Sequence, residues 1–358
     1  MEFLVRRDDL HSCRFEDGDS PAPGAGEGVL RVESFGLTSN NITYGVFGDA
    51  MNYWDFFPAP EGWGHLPVWG FAAVEAWPDD EVAEGTRLYG YLPLASHLAV
   101  HPARVDERGF YDGAAHREPL PSAYQAYRRT DSDPVYDPER EDEQILFWPL
   151  FYTSFLVDDL LADEDFFGAD TVVLSSASSK TALIAAYLLA QRDGPELVAL
   201  TSAHNREFVE GLGIYDAVLT YDDVESLGGE RLVYADFAGN SEVRGRIHSH
   251  LDDRLAHSLM IGMTHWTEMA VPEGAGQLPG PKPSFFFAPD RIRKRGKDWG
   301  TATLEERVAG AWRPFAEWAG GWLEVKRISE PEEIERVYLE LLEGKVDPKV
   351  GHVVALAD

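Results

Sequence analysis

The sequence has a single cysteine, Cys13, in 358 residues. That excludes an intramolecular disulfide and any zinc site built from several thiolates. Lysine is scarce as well, seven against twenty-four arginines. Positive charge as a whole is outnumbered: 31 Lys and Arg face 62 Asp and Glu, for a formal charge of −31. A surface this negative repels nucleic acid and anionic membranes, so neither is an expected partner. A salt-adapted host and a GC-rich genome both account for such a composition, and the sequence does not separate them. The opening MEFLVRRDDLHS has no long apolar core and no small-residue cleavage site, so no signal peptide is expected. The most apolar stretch, Ile145–Val157, is short for a bilayer and contains Pro149. A cytoplasmic protein is the expectation.

What is present is ordinary globular material, 44% hydrophobic and 12% aromatic, long enough for two domains. The centre of the pattern is Asp170–Arg206. Thr171–Leu174 is a β-branched run, followed by Ser175-Ser176-Ala177-Ser178-Ser179-Lys180-Thr181 and an Ala/Leu-rich helical stretch, Ala182–Gln191. Gly194 and Pro195 break that helix before a second buried strand at Leu197–Leu200. This is a βαβ unit whose small-residue turn meets a helix N-terminus, where a cofactor phosphate would bind. The glycines of the dinucleotide fingerprint are missing, so the motif alone is weak.

Before it, residues 1–105 read as short strands of a compact β-barrel: Val29–Ser34, Phe71–Trp77, Thr86–Leu92 and Leu98–His101. Asp106–Glu143, rich in charge, Tyr and Pro, reads as a long exposed excursion, and Ile145–Leu161 as a buried helix. After the βαβ unit, Ala217–Thr220, Arg231–Ala235, Ser258–Met263 and Ser284–Ala288 complete six mostly parallel strands with helices on both faces. Thr303–Trp318 and Pro331–Leu342 follow as helices, with strands at Trp322–Ile328 and Val353–Leu356.

This order of elements resembles the medium-chain dehydrogenase/reductase superfamily in its zinc-free, quinone-reductase-like branch. Phe35–Gly48 is similar to the first active-site segment of that family. Gly70–Gly90 is similar to its GAGVVEAVG…GDRVYG strand pair, Leu174–Ala182 to its TGAAGGVGS turn, and Glu330–Leu356 to its closing PLEE helix and GKVVL strand. The Ser-rich turn is similar to that of an uncharacterised subgroup. The resemblance implies a Rossmann doubly wound parallel sheet inserted in a GroES-like β-barrel catalytic domain. Residues 1–144 and 315–358 would form the catalytic domain and 145–314 the nucleotide-binding domain. It also implies a soluble enzyme acting on a small molecule, and a homodimer is among the assemblies it allows.

The three fingerprint glycines fall on Ser175, Ser178 and Thr181. Serine hydroxyls compensate in part, because they donate to phosphate oxygens, so Ser175, Ser176, Ser178, Ser179, Lys180 and Thr181 are the expected cofactor contacts; a plain polar N-capped turn is the alternative. A cation in the first helical turn opposes the macrodipole, and for Lys180 a bound phosphate or plain solvation both answer that. The second strand ends at Thr201-Ser202-Ala203-His204-Asn205-Arg206, without the acid that holds a ribose 2′-hydroxyl. Ser202 and Arg206 would suit a 2′-phosphate, hence NADPH, unless the segment is an ordinary exposed loop. The zinc-ligand positions fall on Pro67-Val68-Trp69 and near Thr38, so a catalytic zinc would lack ligands.

Tyr44 aligns with a tyrosine kept near the nicotinamide by several zinc-free reductases. Its phenol would donate to a substrate carbonyl, or it simply packs. Asn41 and Asn40 either orient that carbonyl or serve turn geometry. His265 and Trp266 either line the nicotinamide pocket or sit buried and hydrogen-bonded. Arg291–Lys297 holds five basic residues in seven positions: either a helix paired with carboxylates or an anion site. The functional expectation is an NADPH-dependent reductase of an activated carbonyl, enone or quinone. The alternative is a nucleotide-binding sensor or structural subunit that keeps the fold, motivated by the lost glycines.

Overall fold

The computed structural model describes residues 1–17, 20–261 and 278–355. The chain divides into two compact units, Met1–Leu146 with Leu323–Asp358, and Phe147–Trp322.

The first unit is built on antiparallel strands. β1 (Glu2–Arg6), β2 (Asp9–Glu16), β3 (Gly28–Leu37), helix α1 (Ser39–Val46), β4 (Trp63–His65), β5 (Pro67–Ala76), β6 (Arg87–Pro93), β7 (His97–Val100), β8 (Pro102–Asp106), β9 (Gly109–Asp112) and β10 (Ala126–Arg129) follow in order. A small sheet runs β2-β1-β4 and a large one pairs β3 with β5 and β7 and continues through β6, β10, β9 and β8. Period-two patterning explains the start of β3, where Leu30 and Val32 enter the same core as Val68, Ala72 and Leu92, and a register shift between Val32 and Ser34 brings Phe35 into it. At Gly70 a Cβ would lie 2.0 Å from the Ser34 carbonyl oxygen, so glycine permits the close approach of β5 to β3.

The expected exposed excursion at Asp106–Glu143 is instead partly core. Phe110 stacks on Tyr127 with centroids 5.0 Å apart, and Asp112 and Arg117 form a buried ion pair at 2.9 Å. Few apolar residues sit among many charged ones there, so the pattern hides two strands that β6 recruits through β10.

Helix α2 (Glu141–Asp163) leads from one unit to the other. It is the one described helix long and apolar enough to cross a membrane, and 61% of its apolar window is buried, as in a core helix.

The second unit contains β11 (Thr171–Leu174), α3 (Lys180–Ala190), β12 (Glu196–Thr201), α4 (Arg206–Gly211), β13 (Ala217–Thr220), β14 (Leu232–Asp236), α5 (Ser241–Leu251), β15 (Leu255–Met260), β16 (Ser284–Phe285), α6 (Ala288–Asp298) and α7 (Thr301–Gly320). Its sheet order is β13-β12-β11-β14-β15-β16, every neighbouring pair parallel. That is the doubly wound order, with its reversal between β11 and β14. β11 is buried along its whole length, as a central parallel strand must be. The strand expected at Ser258–Met263 begins earlier, at Leu255, and runs to Met260; residues 262 and 263 of the expected span lie outside the described residues. The strand expected at Ser284–Ala288 stops after Phe285, because Pro289 at the start of α6 turns the chain into helix.

The chain then returns to the first unit through β17 (Glu324–Ile328), α8 (Pro331–Leu342) and β18 (Val350–Ala355). β18 pairs antiparallel with β3, Val354 opposite Phe35, and closes the large sheet. Ile334, Val337 and Tyr338 of α8 join the barrel core, and the Tyr338 hydroxyl donates to the Leu10 carbonyl at 2.7 Å.

Candidate functional site

In the second unit the polar groups collect at the carboxyl ends of the parallel strands, the edge where such sheets bind ligands. Ser175, directly after β11, is fully buried. Its hydroxyl donates to Asp236 Oδ1 at 3.0 Å and accepts from the Phe237 and Ala238 amides, each at 3.0 Å. Asp236 ends β14 and also receives Arg244 at 2.8 Å. The hydroxyl of Ser175 therefore ties two strand ends together across the reversal point. It is not offered to a phosphate, which corrects the expectation for this residue.

The rest of the turn is more open. Ser176 has φ +50°, a left-handed backbone that favours glycine. Its amide donates to the Tyr221 hydroxyl at 2.8 Å. Burial raises the pKa of that phenol, so Tyr221 keeps its proton to donate. Ser178 accepts from Asn205 Nδ2 at 2.9 Å, joining the turn after β11 to the turn after β12. Ser179 caps α3 by accepting from the Ala182 amide, and Lys180 is the first helical residue, its ammonium 5.8 Å from the Phe147 ring. The Thr181 carbonyl accepts from Ser154 at 2.8 Å.

Beyond β12, Ser202 caps a short turn through the Asn205 amide at 3.3 Å. Arg206 opens α4, exposed, and pairs with Glu210 at 2.8 Å. A ligand competing for Arg206 must therefore displace a carboxylate. Sequence reasoning missed Tyr221, Asn205 and Asp236. An acid closing the apolar run LVYAD was the available signal for Asp236; Tyr221 gave none beyond following a strand. His265 and Trp266 lie outside the described residues.

The first unit brings together an aromatic cluster around Tyr44, with Tyr53, Tyr91 and Tyr124 at ring distances of 4.8, 5.3 and 6.3 Å. The Tyr44 hydroxyl accepts from Asn40 Nδ2 at 2.8 Å and from Trp69 Nε1 at 3.0 Å. Both bonds use its lone pairs, which leaves its proton as the group it can give. Burial drives the pKa of Tyr44 upward, so it is a neutral phenol at physiological pH. Of the two roles open to Asn41, the structure shows the one in turn geometry. Its Oδ1 accepts from the Thr38 amide at 2.6 Å and its Nδ2 donates to the Pro67 carbonyl at 2.9 Å. With both ends of the amide engaged, Asn41 closes the capping box of α1 rather than orienting a carbonyl.

The basic segment of α6 is paired with carboxylates, the first of the two readings of this segment. Arg291 and Arg295 are buried and converge on Asp159 of α2, at 2.5 and 2.8 Å, with Asp163 beside it. Arg293 pairs with Asp290.

A family model described as "Protein of unknown function (DUF2855)" matches residues 35–347. No protein of curated function matches the sequence. Among solved structures, the chain is similar to CurA from Vibrio vulnificus in complex with NADPH (12% identity, 100% of this chain and 99% of that one, TM-score 0.59). It is similar to YhdH from E. coli with bound NADPH (13% identity, 100% of both chains, TM-score 0.57). It is also similar to the quinone oxidoreductase from Coxiella burnetii (13% identity, 99% of both chains, TM-score 0.54). At such identities the likeness is one of fold.

Proposed function

The chain belongs to the family of unknown function DUF2855, and from that premise we propose a zinc-independent, NADPH-dependent oxidoreductase reducing an activated carbonyl, enone or quinone-like molecule. The observation that carries this reading is the convergence of Ser176, Ser178, Ser202, Arg206 and Tyr221 at the carboxyl ends of three adjacent parallel strands. Support comes from NADPH in the similarly folded CurA and YhdH structures. Ser176, Ser178, Ser179, Lys180 and Thr181, at the positive end of α3, would hold the pyrophosphate, and Ser202 and Arg206 the 2′-phosphate. The cofactor would supply hydride. Tyr44, a neutral phenol with its proton unassigned to any acceptor by its two bonds, would supply the matching proton to the substrate oxygen.

Titrating the protein with NADPH and NADH while following nicotinamide fluorescence tests the cofactor; no saturable binding of either would sink the enzyme reading. Turnover across quinones, enones and aldehydes then tests chemistry. Tyr44→Phe should lower kcat by about 10²-fold while leaving NADPH affinity unchanged.

One observation favours a second reading. The Ser176 amide, an obvious phosphate donor, is already held by Tyr221. A nucleotide-binding sensor or structural subunit would tolerate that arrangement, and would bind NADPH without turnover on the whole panel.

A further inference from the structure

The Tyr44 hydroxyl is bound in the opposite sense to two other enclosed phenols of this chain. Tyr127 and Tyr338 each donate to a backbone carbonyl, of Tyr91 and of Leu10, at 2.7 Å. Tyr44 instead receives two donors, Asn40 Nδ2 at 2.8 Å and Trp69 Nε1 at 3.0 Å. The donors come from separate elements, and each is fixed by contacts of its own. Asn40 lies on α1 one turn before Tyr44, where an i,i+4 pair sets its amide beside the phenol oxygen. The Asn41 bond to the Pro67 carbonyl at 2.9 Å seats α1 on the start of β5, two residues before Trp69. Trp69 lies opposite Tyr91 in the strand register, with the rings 5.1 Å apart, and stacks on Tyr89 at 5.9 Å. An indole has one polar hydrogen and no acceptor, so Trp69 can only give to the phenol oxygen.

The surroundings offer little else to a charge on Tyr44. The rings against it are phenols as well, Tyr53, Tyr91 and Tyr124. Arg117, which reaches the cluster over Phe57 at 4.8 Å, is spent on Asp112. Burial is the strongest influence on the Tyr44 hydroxyl and disfavours its ionisation, with Tyr53 in the same sense, while Trp69 and Asn40 oppose both. When Tyr44 protonates a substrate, its O–H bond breaks and leaves the electron pair on the phenol oxygen. The proton goes to the substrate oxygen on which reduction places negative charge, and solvent later returns one to Tyr44. A hydrogen bond to an anion is about twice as strong as one to a neutral oxygen, so both bonds strengthen as the proton leaves. Donors already in place at the developing charge lower the barrier rather than only tightening the ground state.

We propose that Asn40 and Trp69 are positioning residues for proton donation: together they keep the lone pairs of Tyr44 occupied, so that its proton faces the substrate, and stabilise the tyrosinate that remains. The proposal rests on the reading of Tyr44 as the proton donor, and its first test needs no turnover.

The experiment places trifluorotyrosine, a more acidic phenol, at position 44 of the full chain and follows its ionisation by fluorine NMR against pH. Asn40→Ala and Trp69→Phe should each raise the apparent pKa of this probe by about 1, the gap between a charged and a neutral hydrogen bond. With the natural tyrosine, each variant should lower kcat about tenfold and leave KM and NADPH affinity within about twofold. In a Tyr44→Phe background neither should lower kcat further, an outcome that a packing role does not give. Thermal unfolding reports folding, and because the two donors sit on different elements, one variant decides if the other does not fold. A probe unmoved in the folded variants overturns the proposal, as does a wild-type probe that stays un-ionised until the protein unfolds in alkali. A shifted probe in a protein that reduces nothing supports the donor pair and overturns the reductase reading instead.

Discussion

Ser175 Oγ stands 3.0 Å from Asp236 Oδ1, a bond between the ends of two parallel strands at the point where the sheet order reverses. The neighbouring residue, Ser176, holds a left-handed φ of +50°. Two adjacent serines open the turn, Ser175 at one of the fingerprint's glycine positions and Ser176 beside it, and they differ in what glycine would do there. Ser175→Gly removes a hydroxyl that serves three partners and leaves Asp236 and two amides short of bonds, for a loss of about 1–3 kcal/mol. Ser176→Gly relieves a left-handed L-residue and should stabilise by about 1 kcal/mol. Urea unfolding of the two variants reads both effects. Changes of the same sign would show that the strand-end bond does not govern this turn.

Arg206 decides the cofactor if it decides anything. Its partner Glu210 lies one helical turn away at 2.8 Å, and both side chains are about half exposed, so their pair is a weak competitor. Arg206→Ala should weaken NADPH by roughly 1.5–3 kcal/mol and leave NADH nearly unchanged. Glu210→Gln should act the other way, freeing the guanidinium and tightening NADPH alone. Parallel losses for both cofactors in the alanine variant would assign Arg206 to structure.

The doubly wound sheet could be read from the chain because its strands are short, mostly apolar runs, TVVL and ELVALT, separated by helical Ala/Leu patterning and glycine breaks. Periodicity carries that signal without tertiary information. The barrel strands β8 to β10 could not be read so easily, since Phe110 and Tyr127 are isolated apolar positions in charged sequence and find their partners only across the sheet. The serine turn was visible as a turn. That one of its serines faces inward was not, because the acceptor, Asp236, is 61 residues away in sequence. Asn41 and the α6 arginines each left two readings open in the sequence for a shared reason: a polar residue type signals that a partner exists, not whether that partner is a ligand or a neighbouring helix.

The α6 arginines give a stability prediction instead of a binding one. Asp159 receives both Arg291 and Arg295 in a buried cluster. Asp159→Asn removes the more buried of the two carboxylates that Arg291 and Arg295 share, leaving Asp163, and should cost up to about 3–5 kcal/mol. Arg293→Ala, on the exposed side, should change stability by less than about 0.5 kcal/mol and should leave the salt dependence of NADPH association as in wild type. A flattened salt slope in Arg293→Ala would restore the anion-site role to this helix. Chemical denaturation and stopped-flow association at several ionic strengths make the two measurements.

The last prediction concerns acid. His248 is fully buried, its Nδ1 donating to the Pro279 carbonyl at 2.8 Å and its Nε2 accepting from Ser258 at 2.9 Å. Burial lowers its pKa below the ordinary 6.5, with the Arg244 charge in the same sense and the Pro279 bond and Asp236 opposed. His257, stacked on Phe167 at 3.9 Å and bonded to Ser284 at 2.8 Å, is lowered by burial too, against Glu164. Both rings are therefore held neutral in the fold, while in the unfolded chain they take up protons below about pH 6.5. The unfolded state binds more protons in that window, so stability is complete above about pH 6.5 and declines as the pH falls toward the folded-state values. The lowered carboxylates Asp163 and Glu225 act in the same direction but only in more acidic solution, below their unfolded pKa values near 4. Urea midpoints for wild type should accordingly drop between pH 7.5 and 5.5, and a His248→Asn/His257→Gln variant, whose side chains cannot titrate, should show a shallower decline. The difference between the two curves isolates the histidines from every other group. Parallel curves for the two proteins would mean that neither buried imidazole limits the stability of the β15–β16 edge in acid.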